Sequence, residues 1–299
     1  MSLRILVAGR DGQLARALAR HRWPAGWVVA CRGRADFDIA DADADRHIAA
    51  AFAAFAPSLV INAAAYTAVD KAESDRDAAF ALNRDGPARL AAACARAGAP
   101  LIHISTDSVF NGTKAGAYRE DDAVAPIGVY GASKEAGERA IRAALAEHVI
   151  VRTSWVFGPD GHNFVKLMLR LGAEKDELGV VSDQHGCPTA ADDLAAALAT
   201  VAAAIADGRR DGWGTFHVAG DQAMSRIEQA RDIFAGAAAR GRKTPRLRPV
   251  SMREFAAPAP RPANAILDSA RFAAVYGGPA RPWLPALDRT LDAIFAAQT

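Results

Sequence analysis

Five short apolar runs, separated by segments with helical periodicity, are the feature that most restricts the fold of this chain. Each run is apolar on both faces, which is typical of strands in a parallel sheet that is covered by helices on both sides. The alternation predicts an α/β fold: a Rossmann-like, doubly wound parallel sheet with right-handed crossovers. The runs cover residues 3–8, 27–31, 58–61, 101–105 and 149–153.

The pattern changes after residue 154, where the strand-like runs become shorter and less regular. We therefore expect a Rossmann domain over residues 1–154 and a smaller C-terminal lobe over residues 155–299, laid over the carboxyl edge of the sheet. The boundary is approximate and leaves room for segments of the two parts to interleave. The later strand-like runs lie at residues 179–182, 215–218 and 247–250, and helical patterns lie at residues 163–171, 191–206, 226–239 and 285–296.

The first apolar run ends in a glycine-containing turn that leads into a helical pattern. Gly9 and Gly12 are followed by Gln13 and Leu14, and Ala15 stands where a third glycine is common in dinucleotide-binding turns. Such glycines let the backbone approach a pyrophosphate, which then lies on the helix N-terminus. We expect the first four of these residues to contact NAD(P), although an ordinary strand-to-helix turn in an Ala/Gly-rich chain gives the same pattern.

The residues after the second run bear on which dinucleotide binds. An acidic residue at this point would hydrogen-bond the ribose of NAD, whereas this chain has Arg32 and Arg34. The arginines suit a 2′-phosphate and favour NADPH, with NADH as the alternative if they are solvated loop charges. Asp38 and Ile39 are expected to border the adenine, although Asp38 or Asp41 is equally suited to cap the next helix.

The third and fourth runs are followed by small or polar residues at the predicted carboxyl edge of the sheet. Small side chains there leave room for a ligand that crosses the edge. The fourth run delivers Thr106 and Asp107 to the same edge. The residues after the third run that we expect to contact the cofactor are Ala63, Ala64, Ala65 and Tyr66.

Tyr130 and Lys134 are four residues apart, at the point where a helical pattern begins. Residues with this spacing share a helix face, so the phenol and the ammonium should point the same way. An ammonium favours the phenolate and is expected to lower the pKa of Tyr130, so that the tyrosine can exchange a proton with a carbinol oxygen near neutral pH. We interpret the pair as an active site, with a solvated helical pair as the alternative.

The composition excludes several other classes of protein. A formal net charge of +2 argues against a nucleic-acid-binding surface, and no apolar run approaches the length of a membrane span. The first apolar run is followed by no cleavage site, so we expect no signal peptide. Cys31, Cys94 and Cys187 are odd in number and widely spaced, which indicates a reducing compartment and favours the cytoplasm.

Seven segments of this chain together resemble extended short-chain dehydrogenases/reductases: residues 9–14, 62–73, 105–110, 130–134, 151–158, 184–189 and 261–264. More narrowly, these segments are similar to those of the reductases that carry out the last step of dTDP-L-rhamnose synthesis. The resemblance covers nearly the whole chain. It implies an NAD(P)-binding Rossmann domain, a substrate-binding lobe, and hydride transfer to the C4 keto carbon of dTDP-4-dehydro-β-L-rhamnose to give dTDP-L-rhamnose.

The resemblance also implies roles for individual residues. Tyr130 would donate the proton to the C4 oxygen, while Lys134 would hold the nicotinamide ribose and tune Tyr130. Thr106 would hydrogen-bond the reacting oxygen, and Asp107 would hydrogen-bond the sugar. Trp155 would border the sugar pocket, because its amphipathic ring suits the face of a deoxysugar.

Three positions depart from the pattern of these reductases. Ala15 replaces a glycine, Ser108 replaces a second tyrosine, and Cys187 replaces a serine. None of the changes removes a catalytic group. Ser108 and Cys187 bear on the shape of the pocket and hence on the choice of substrate.

Members of this family can form homodimers through a metal ion that acidic residues near the C-terminus bind. Asp192, Asp288 and Asp292 are the candidates for such a Mg²⁺ site here, although carboxylates on helix surfaces are the simpler interpretation. No metal is expected in the catalytic site itself.

Two other functions remain compatible with the same sequence. The first is another reductase or an epimerase of nucleotide sugars with the same fold, and an epimerase would retain its cofactor through purification. The second is a non-catalytic regulatory subunit. The presence of Thr106, Tyr130 and Lys134 together favours an enzyme, since a binding module needs none of the three for catalysis.

Overall fold

The structure, a computed structural model, describes residues 2–278 and 280–297 of the chain. Its strands are β1 (Arg4–Ala8), β2 (Val28–Arg32), β3 (Leu59–Asn62), β4 (Leu101–Thr106), β5 (His148–Thr153), β6 (Val156–Phe157), β7 (Glu177–Val181), β8 (His185–Gly186), β9 (Thr189–Ala190), β10 (Gly214–His217), β11 (Met224–Ser225), β12 (Arg246–Val250) and β13 (Asn264–Ala265). Its helices are α1 (Gln13–Arg20), α2 (Ala44–Phe55), α3 (Val69–Ala72), α4 (Arg76–Phe80), α5 (Gly86–Ala97), α6 (Val129–Ala144), α7 (Phe164–Glu174), α8 (Ala191–Ala206), α9 (Arg226–Ala239), α10 (Met252–Phe255), α11 (Ala270–Tyr276) and α12 (Trp283–Ala296). None of the described helices is both long and apolar enough to cross a membrane.

The largest sheet has six parallel strands in the order β2-β1-β3-β4-β5-β10. From β1 the chain first adds β2 at one side of the sheet, and then adds β3, β4, β5 and β10 at the other side. A crevice therefore opens at the carboxyl ends of β1 and β3, where ligands bind in sheets of this kind. This arrangement confirms the predicted Rossmann-like, doubly wound fold.

Helices cover both faces of this sheet because its strands are apolar on both faces. Ile5 and Val7 of β1 pack with α1, α8 and α11 on one face, whereas Leu6 packs with α2, α5 and α6 on the other. The alternation follows the two-residue period of a strand. Small alanines on α8, such as Ala195 and Ala202, are fully buried and let α8 lie close to α1.

The second hydrophobic core belongs to the later part of the chain. It lies between α7, α9, α12 and the two-stranded parallel sheet of β7 and β12. Trp283 at the start of α12 is 1% exposed, and its ring meets that of Phe157 edge to face at 5.0 Å. Burial of a ring of this size contributes about 3 kcal/mol to folding. The lobe therefore has a core of its own.

The two parts of the fold exchange segments. β10 follows residue 154 in sequence, yet it pairs with β5 and extends the large sheet. Phe216 explains why, because it packs in the core of that sheet, 6.3 Å from the ring of Phe272. α8 likewise packs against α1 of the first part. The division into residues 1–154 and 155–299 remains a prediction, with β10 and α8 as interleaved segments.

Residues 74–97 have a continuous helical pattern in the sequence, which predicts one long helix, but the structure interrupts it. α4 and α5 are joined by a π-helical turn at Ala81–Asp85, whose Asn83 is completely buried. The Asn83 side chain accepts a hydrogen bond from the amide of Tyr66 (2.8 Å) and donates to its carbonyl (3.0 Å). The backbone of the turn lies so close to α6 that a Cβ at Gly137 would collide with the Asn83 carbonyl. The π turn thus fixes the loop after β3 against α6.

Candidate active site

A cleft of about 440 Å³ opens at the carboxyl edge of the large sheet and continues beneath the second lobe. Eleven of the residues singled out in the sequence line it: Gly12, Gln13, Leu14, Ala63, Ala64, Ala65, Thr106, Asp107, Tyr130, Lys134 and Trp155. The structure thus brings the glycine turn, the strand ends and the tyrosine–lysine helix to one site. The other predicted cofactor residues, Gly9, Arg32, Asp38, Ile39 and Tyr66, are not among its lining residues.

The glycine turn fits a dinucleotide. Gly9 has a φ of +112°, and a Cβ there would lie 3.2 Å from the backbone carbon of Ala63, so glycine is needed for β1 and β3 to end side by side. Gly12 immediately precedes α1, and a Cβ on it would meet no protein atom but would point into the cleft. Without acidic residues in its first turn, α1 presents free amides to an anion, which suits a pyrophosphate.

Tyr130 lies in the first turn of α6 with Thr106 and Asp107 opposite it across the cleft. The sequence argument expected Lys134 to lower the pKa of Tyr130, and this is wrong for the ligand-free protein. Burial instead raises the pKa of Tyr130 to about 12, and the charge of Asp107 adds to the rise, whereas the Thr106 hydroxyl opposes it. The phenol is therefore held protonated, as a proton donor requires.

Lys134 is 1% exposed, and its Nζ donates a hydrogen bond of 2.7 Å to the carbonyl of Ile104 on β4. Burial lowers the pKa of Lys134 to about 8, and the charge of Glu138 works in the other direction. A buried lysine with so low a pKa is typical of functional sites. Lys134 thus faces the cleft as a cation that is close to losing its proton.

Four residues that we did not single out in the sequence hold α6 in place. Glu138 is fully buried and accepts bonds of 2.9 and 2.7 Å from the guanidinium of Arg152 on β5. It also accepts one of 2.5 Å from the Ser105 hydroxyl. Gly131 lets the helix approach the turn after β4, where a Cβ would collide with the Ser108 carbonyl. Glu138 lies one turn beyond Lys134, and this spacing was the available sign of its role.

Asp107 is bound by neighbouring hydroxyl groups. Its Oδ1 accepts hydrogen bonds from Thr106 (2.9 Å) and Ser108 (3.1 Å), and its Oδ2 accepts one from Ser154 (2.7 Å). Burial raises the pKa of this carboxyl, and the hydroxyls partly offset the rise. Ser108 therefore contributes a small hydroxyl to this network.

Trp155 forms the far wall of the cleft with an arginine that the sequence argument missed. Its φ of +47° is rare for a residue with a bulky side chain, and a Cβ on Gly186 would collide with its ring. The guanidinium of Arg226 lies 3.4 Å from the ring centroid. Burial lowers the pKa of Arg226 to about 9, and the charge of nearby Arg261 contributes. Arg226 and Arg261 both line the cleft.

The arginines near the end of β2 pair with two carboxylates, Asp36 and Asp38, which are not among the lining residues of the cleft. Asp36 pairs with Arg32 at 3.3 Å and with Arg10 at 3.7 Å. Arg34 lies 3.9 Å from Asp38, whose Oδ1 accepts a hydrogen bond from the amide of Ala40. Arg10, from the glycine turn itself, was not considered in the sequence argument.

Ile39 and Tyr66 occupy positions that also serve the fold. Ile39 is 2% exposed, and a Cβ on Gly86 would collide with it. The Tyr66 hydroxyl donates to Asp75 at 3.0 Å. Their contacts with a cofactor remain predictions.

The acidic residues considered for a bridging metal are bound to arginines instead. Asp288 and Asp292 both pair with Arg240, at 3.2 and 2.8 Å, and Asp192 pairs with Arg20 at 3.0 Å. In the described part of the chain, no group of three or more His, Cys, Asp or Glu side chains is arranged to hold a metal ion. The expectation of Mg²⁺ between subunits is therefore not supported.

A tyrosine and a lysine one helical turn apart, facing a cleft at the switch point of a doubly wound sheet, are typical of the short-chain dehydrogenases/reductases. The second lobe over the cleft makes this chain one of the extended type. Comparison with known proteins narrows the assignment. The family model described as the RmlD substrate binding domain matches residues 3–295, so the chain belongs to this family of nucleotide-sugar reductases.

Relatives with an assigned activity agree with this membership. The chain is 42% identical to the dTDP-4-dehydrorhamnose reductase of Sinorhizobium fredii over 276 residues, which are 92% of each chain. The crystal structure of a dTDP-4-dehydrorhamnose reductase from Clostridium acetobutylicum matches with a TM-score of 0.88 and 35% identity, covering 99% of both chains. That of the Bacillus anthracis reductase, in complex with NADP, matches with a TM-score of 0.87 and 35% identity, covering 98% of this chain and 99% of that one. The expected enzyme class, an NAD(P)-dependent oxidoreductase, is confirmed.

Proposed function

We propose that this protein reduces the C4 keto group of dTDP-4-dehydro-β-L-rhamnose with NADPH and releases dTDP-L-rhamnose. The observation that carries the proposal is that Thr106, Tyr130 and Lys134 line one cleft in a chain that matches the reductase family from end to end. An epimerase or another deoxysugar reductase would use the same fold. The identity and coverage of the dTDP-4-dehydrorhamnose reductases favour the rhamnose substrate.

In the proposed mechanism the bound nicotinamide supplies a hydride to C4, and this chain's side chains manage the proton and the orientation. Tyr130 is held protonated and donates its proton to the C4 oxygen as that oxygen gains charge. The Thr106 hydroxyl accepts a hydrogen bond from the amide of Ser108, and on substrate binding it turns its single proton from Asp107 to the same oxygen. The Lys134 ammonium holds the nicotinamide ribose, and its positive charge stabilises the phenolate left on Tyr130.

For the nucleotide sugar, we propose that the sugar lies against Trp155 and that Arg226 and Arg261 bind the diphosphate. Nη1 of Arg226 donates a hydrogen bond to the Gln229 side chain (2.9 Å). Nη2 of Arg261 pairs with Asp70 at 2.9 Å, whereas its Nη1 is buried without a hydrogen-bond partner in the described part of the chain. The charge of Asp107 favours the Arg226 cation and that of Arg261 opposes it, and a diphosphate would pair with both guanidinium groups. The role proposed for Asp107 is to fix Thr106 and, through it, the reacting sugar carbon.

For the cofactor, we propose a preference for NADPH over NADH. The support is a group of three arginines, Arg10, Arg32 and Arg34, around the end of β2, where the ribose 2′-phosphate would lie. In the ligand-free structure these arginines form ion pairs with Asp36 and Asp38. Gly9, Gly12, Gln13, Leu14 and the alanines at 63–65 are proposed to contact the rest of the cofactor, with Asp38, Ile39 and Tyr66 at its border.

We further propose that the protein acts in the cytoplasm, on a small nucleotide-sugar substrate rather than on nucleic acid or a membrane. A homodimer remains part of the proposal. It would have to form without a metal bridge from Asp192, Asp288 and Asp292, because arginines hold these carboxylates.

The experiment that tests the proposed function is an assay of NADPH oxidation with dTDP-4-dehydro-L-rhamnose, with identification of the product by mass spectrometry and NMR. Oxidation coupled to dTDP-L-rhamnose formation would support substrate, reaction and direction together. Folded, cofactor-binding protein that oxidises neither NADPH nor NADH with this substrate would refute the proposal. UDP- and GDP-linked 4-keto sugars serve as the matched alternative substrates.

A further inference from the structure

Three buried polar side chains, Asn62, His103 and Lys134, form a chain of contacts from the end of β3 to α6. Asn62 at the end of β3 and His103 on β4 are both fully buried, and Lys134 on α6 is 1% exposed. The three side chains touch in this order: Asn62 Nδ2 lies 3.0 Å from His103 Nδ1, and His103 Nε2 lies 3.4 Å from Lys134 Nζ. The proposed mechanism assigns no role to His103.

The hydrogen bond that Asn62 accepts from the backbone determines the direction of the other hydrogen bonds in this chain of contacts. The amide N–H of Ala64 donates to Oδ1 of Asn62 at 3.1 Å, so the side-chain oxygen of Asn62 faces that amide. The Asn62 nitrogen, which can only donate, must then face His103. His103 Nδ1 is therefore the acceptor, and the single proton of a neutral imidazole lies on Nε2.

The Nε2–H of His103 consequently points at Lys134. An ammonium has three donors and no lone pair, so it cannot accept this hydrogen bond, whereas a neutral amine can. Nζ keeps its bond to the Ile104 carbonyl in either form, since both forms have hydrogens to donate. The contact with His103 is thus favourable only when Lys134 is neutral.

We propose that His103 is a positioning residue for Lys134: held as the Nε2–H tautomer by Asn62, it donates a hydrogen bond to the lysine nitrogen and favours the neutral amine. Its consequence for catalysis rests on the proposed reductase function. At neutral pH Lys134 is still the cation that the proposed mechanism uses, and the hydrogen bond from His103 brings its loss of a proton closer to that pH.

The charged groups around the pair are compatible with this assignment. Lys134 is faced by His103 from β4 and by Tyr130 and Glu138 from α6, and only Glu138 favours the ammonium. Glu138 is largely neutralised by Arg152 and Arg142. His103 is faced by Lys134 and by His148 of β5; burial and these two neighbours hold its pKa well below its usual value, so the imidazole is neutral.

The tautomer can be read directly by ¹⁵N NMR of the histidine side chains in the full-length, ligand-free protein. The His103 signals are assigned from their absence in His103→Gln. We expect a protonated Nε2 and an unprotonated Nδ1 for His103. A proton on Nδ1, or a doubly protonated ring at neutral pH, would overturn the proposal. This measurement requires no substrate, so it stands whether or not the proposed reaction is found.

A second measurement follows the effect on Lys134, through the pH titration of its ε-carbon resonance in lysine-labelled protein. His103→Leu removes the N–H donor, and we expect the pKa of Lys134 to rise by about half a unit to one unit. His103→Gln keeps an N–H donor at a similar place and should leave the titration close to that of the wild type. Equal titrations in the wild type and His103→Leu would contradict the proposal, because a merely structural histidine would not move this pKa.

Discussion

The guanidinium of Arg226 lies 3.4 Å from the centre of the Trp155 ring, at the side of the cleft that the second lobe supplies. The two residues come from distant parts of the chain, yet each depends on the other's position. Arg226 also lies 4.8 Å from the ring centre of Phe164, so its planar group is held between two aromatic side chains. Such a cation has lost much of its hydration and is well prepared to bind an anion.

Replacement of Arg226 by lysine should therefore weaken substrate binding. Lysine keeps the charge but cannot stack as a plane or bind a diphosphate with two parallel hydrogen bonds. We expect KM for the nucleotide sugar to rise about 10-fold or more, with KM for the cofactor unchanged. Arg231→Lys, at an exposed position of the same helix, is the control. Equal KM values for the nucleotide sugar in the two variants would refute the proposal that Arg226 binds the substrate.

Replacement of Tyr130 by phenylalanine should abolish most of the activity. Loss of a proton donor in the transition state reduces kcat by about 10²- to 10⁴-fold. The melting temperature should change little, because the tyrosine is only partly buried and phenylalanine keeps its ring. Tyr276→Phe is the control and should stay active, because the Tyr276 hydroxyl donates to the Gly212 carbonyl and does not line the cleft. A Tyr130→Phe enzyme with the wild-type rate would exclude Tyr130 as the acid.

Replacement of Glu138 by glutamine should destabilise the fold strongly. Arg152 is 2% exposed, and removal of its carboxylate partner would leave a buried, uncompensated charge that costs about 3–5 kcal/mol. Glu135→Gln on the same helix is the control, because its partner Arg139 is exposed and such pairs contribute at most about 1 kcal/mol. Urea denaturation measures both changes. Similar losses for the two variants would show that the Glu138–Arg152 pair does not anchor α6.

The low pKa of Lys134 should appear in the pH dependence of stability. The folded protein gives up this proton near pH 8, whereas the unfolded chain keeps it to about 10.5. Between these values the unfolded chain binds more protons, so the free energy of unfolding rises with pH, by about 1.4 kcal/mol per unit. Lys134→Met lacks this contribution. The free energy of unfolding of the wild type, measured relative to that of Lys134→Met, should therefore increase as the pH rises.

Urea denaturation of both proteins at about pH 7.5 and about pH 9.5 measures this gain, roughly 2 kcal/mol. Burial also raises the pKa of Cys94 and Tyr130, but both proteins carry these groups, so their contributions cancel in the difference. Lys175→Met, at an exposed position, should show no such trend. A constant difference between the wild type and Lys134→Met would mean that Lys134 titrates normally.

The arginines after β2 should determine the choice of cofactor. Simultaneous replacement of Arg10 and Arg32 by alanine removes two of the three cations expected at the 2′-phosphate. We expect kcat/KM for NADPH to fall about 100-fold or more, because two charged hydrogen bonds are lost and each contributes about 1.5–3 kcal/mol, while the value for NADH changes little. Arg22→Ala, on the surface after α1, is the control. An unchanged NADPH/NADH ratio would refute the proposed preference.

Much of this protein could be predicted from its sequence because the relevant signals are local. The short apolar runs located the strands β1 to β5 within one or two residues, and the patterns over residues 191–206 and 226–239 matched α8 and α9. Chain connectivity then dictates the parallel sheet, since helical crossovers return each strand in the same direction. The strand ends, and with them Thr106 and Tyr130, meet at one edge for the same reason.

What the sequence could not show depends on contacts between distant segments. β10 belongs to the large sheet because Phe216 packs beside Phe272. α6 is held in place by the ion pair between its Glu138 and Arg152, which lies on the later strand β5. The pKa of Tyr130 was misjudged because spacing reveals a neighbouring lysine but not the degree of burial, which has the larger effect. Local sequence patterns thus predicted the fold and the pairing of Tyr130 with Lys134. Tertiary packing alone decided the protonation of these two groups, their orientation and which arginines line the cleft, since dielectric environment and distance exist only in the folded chain.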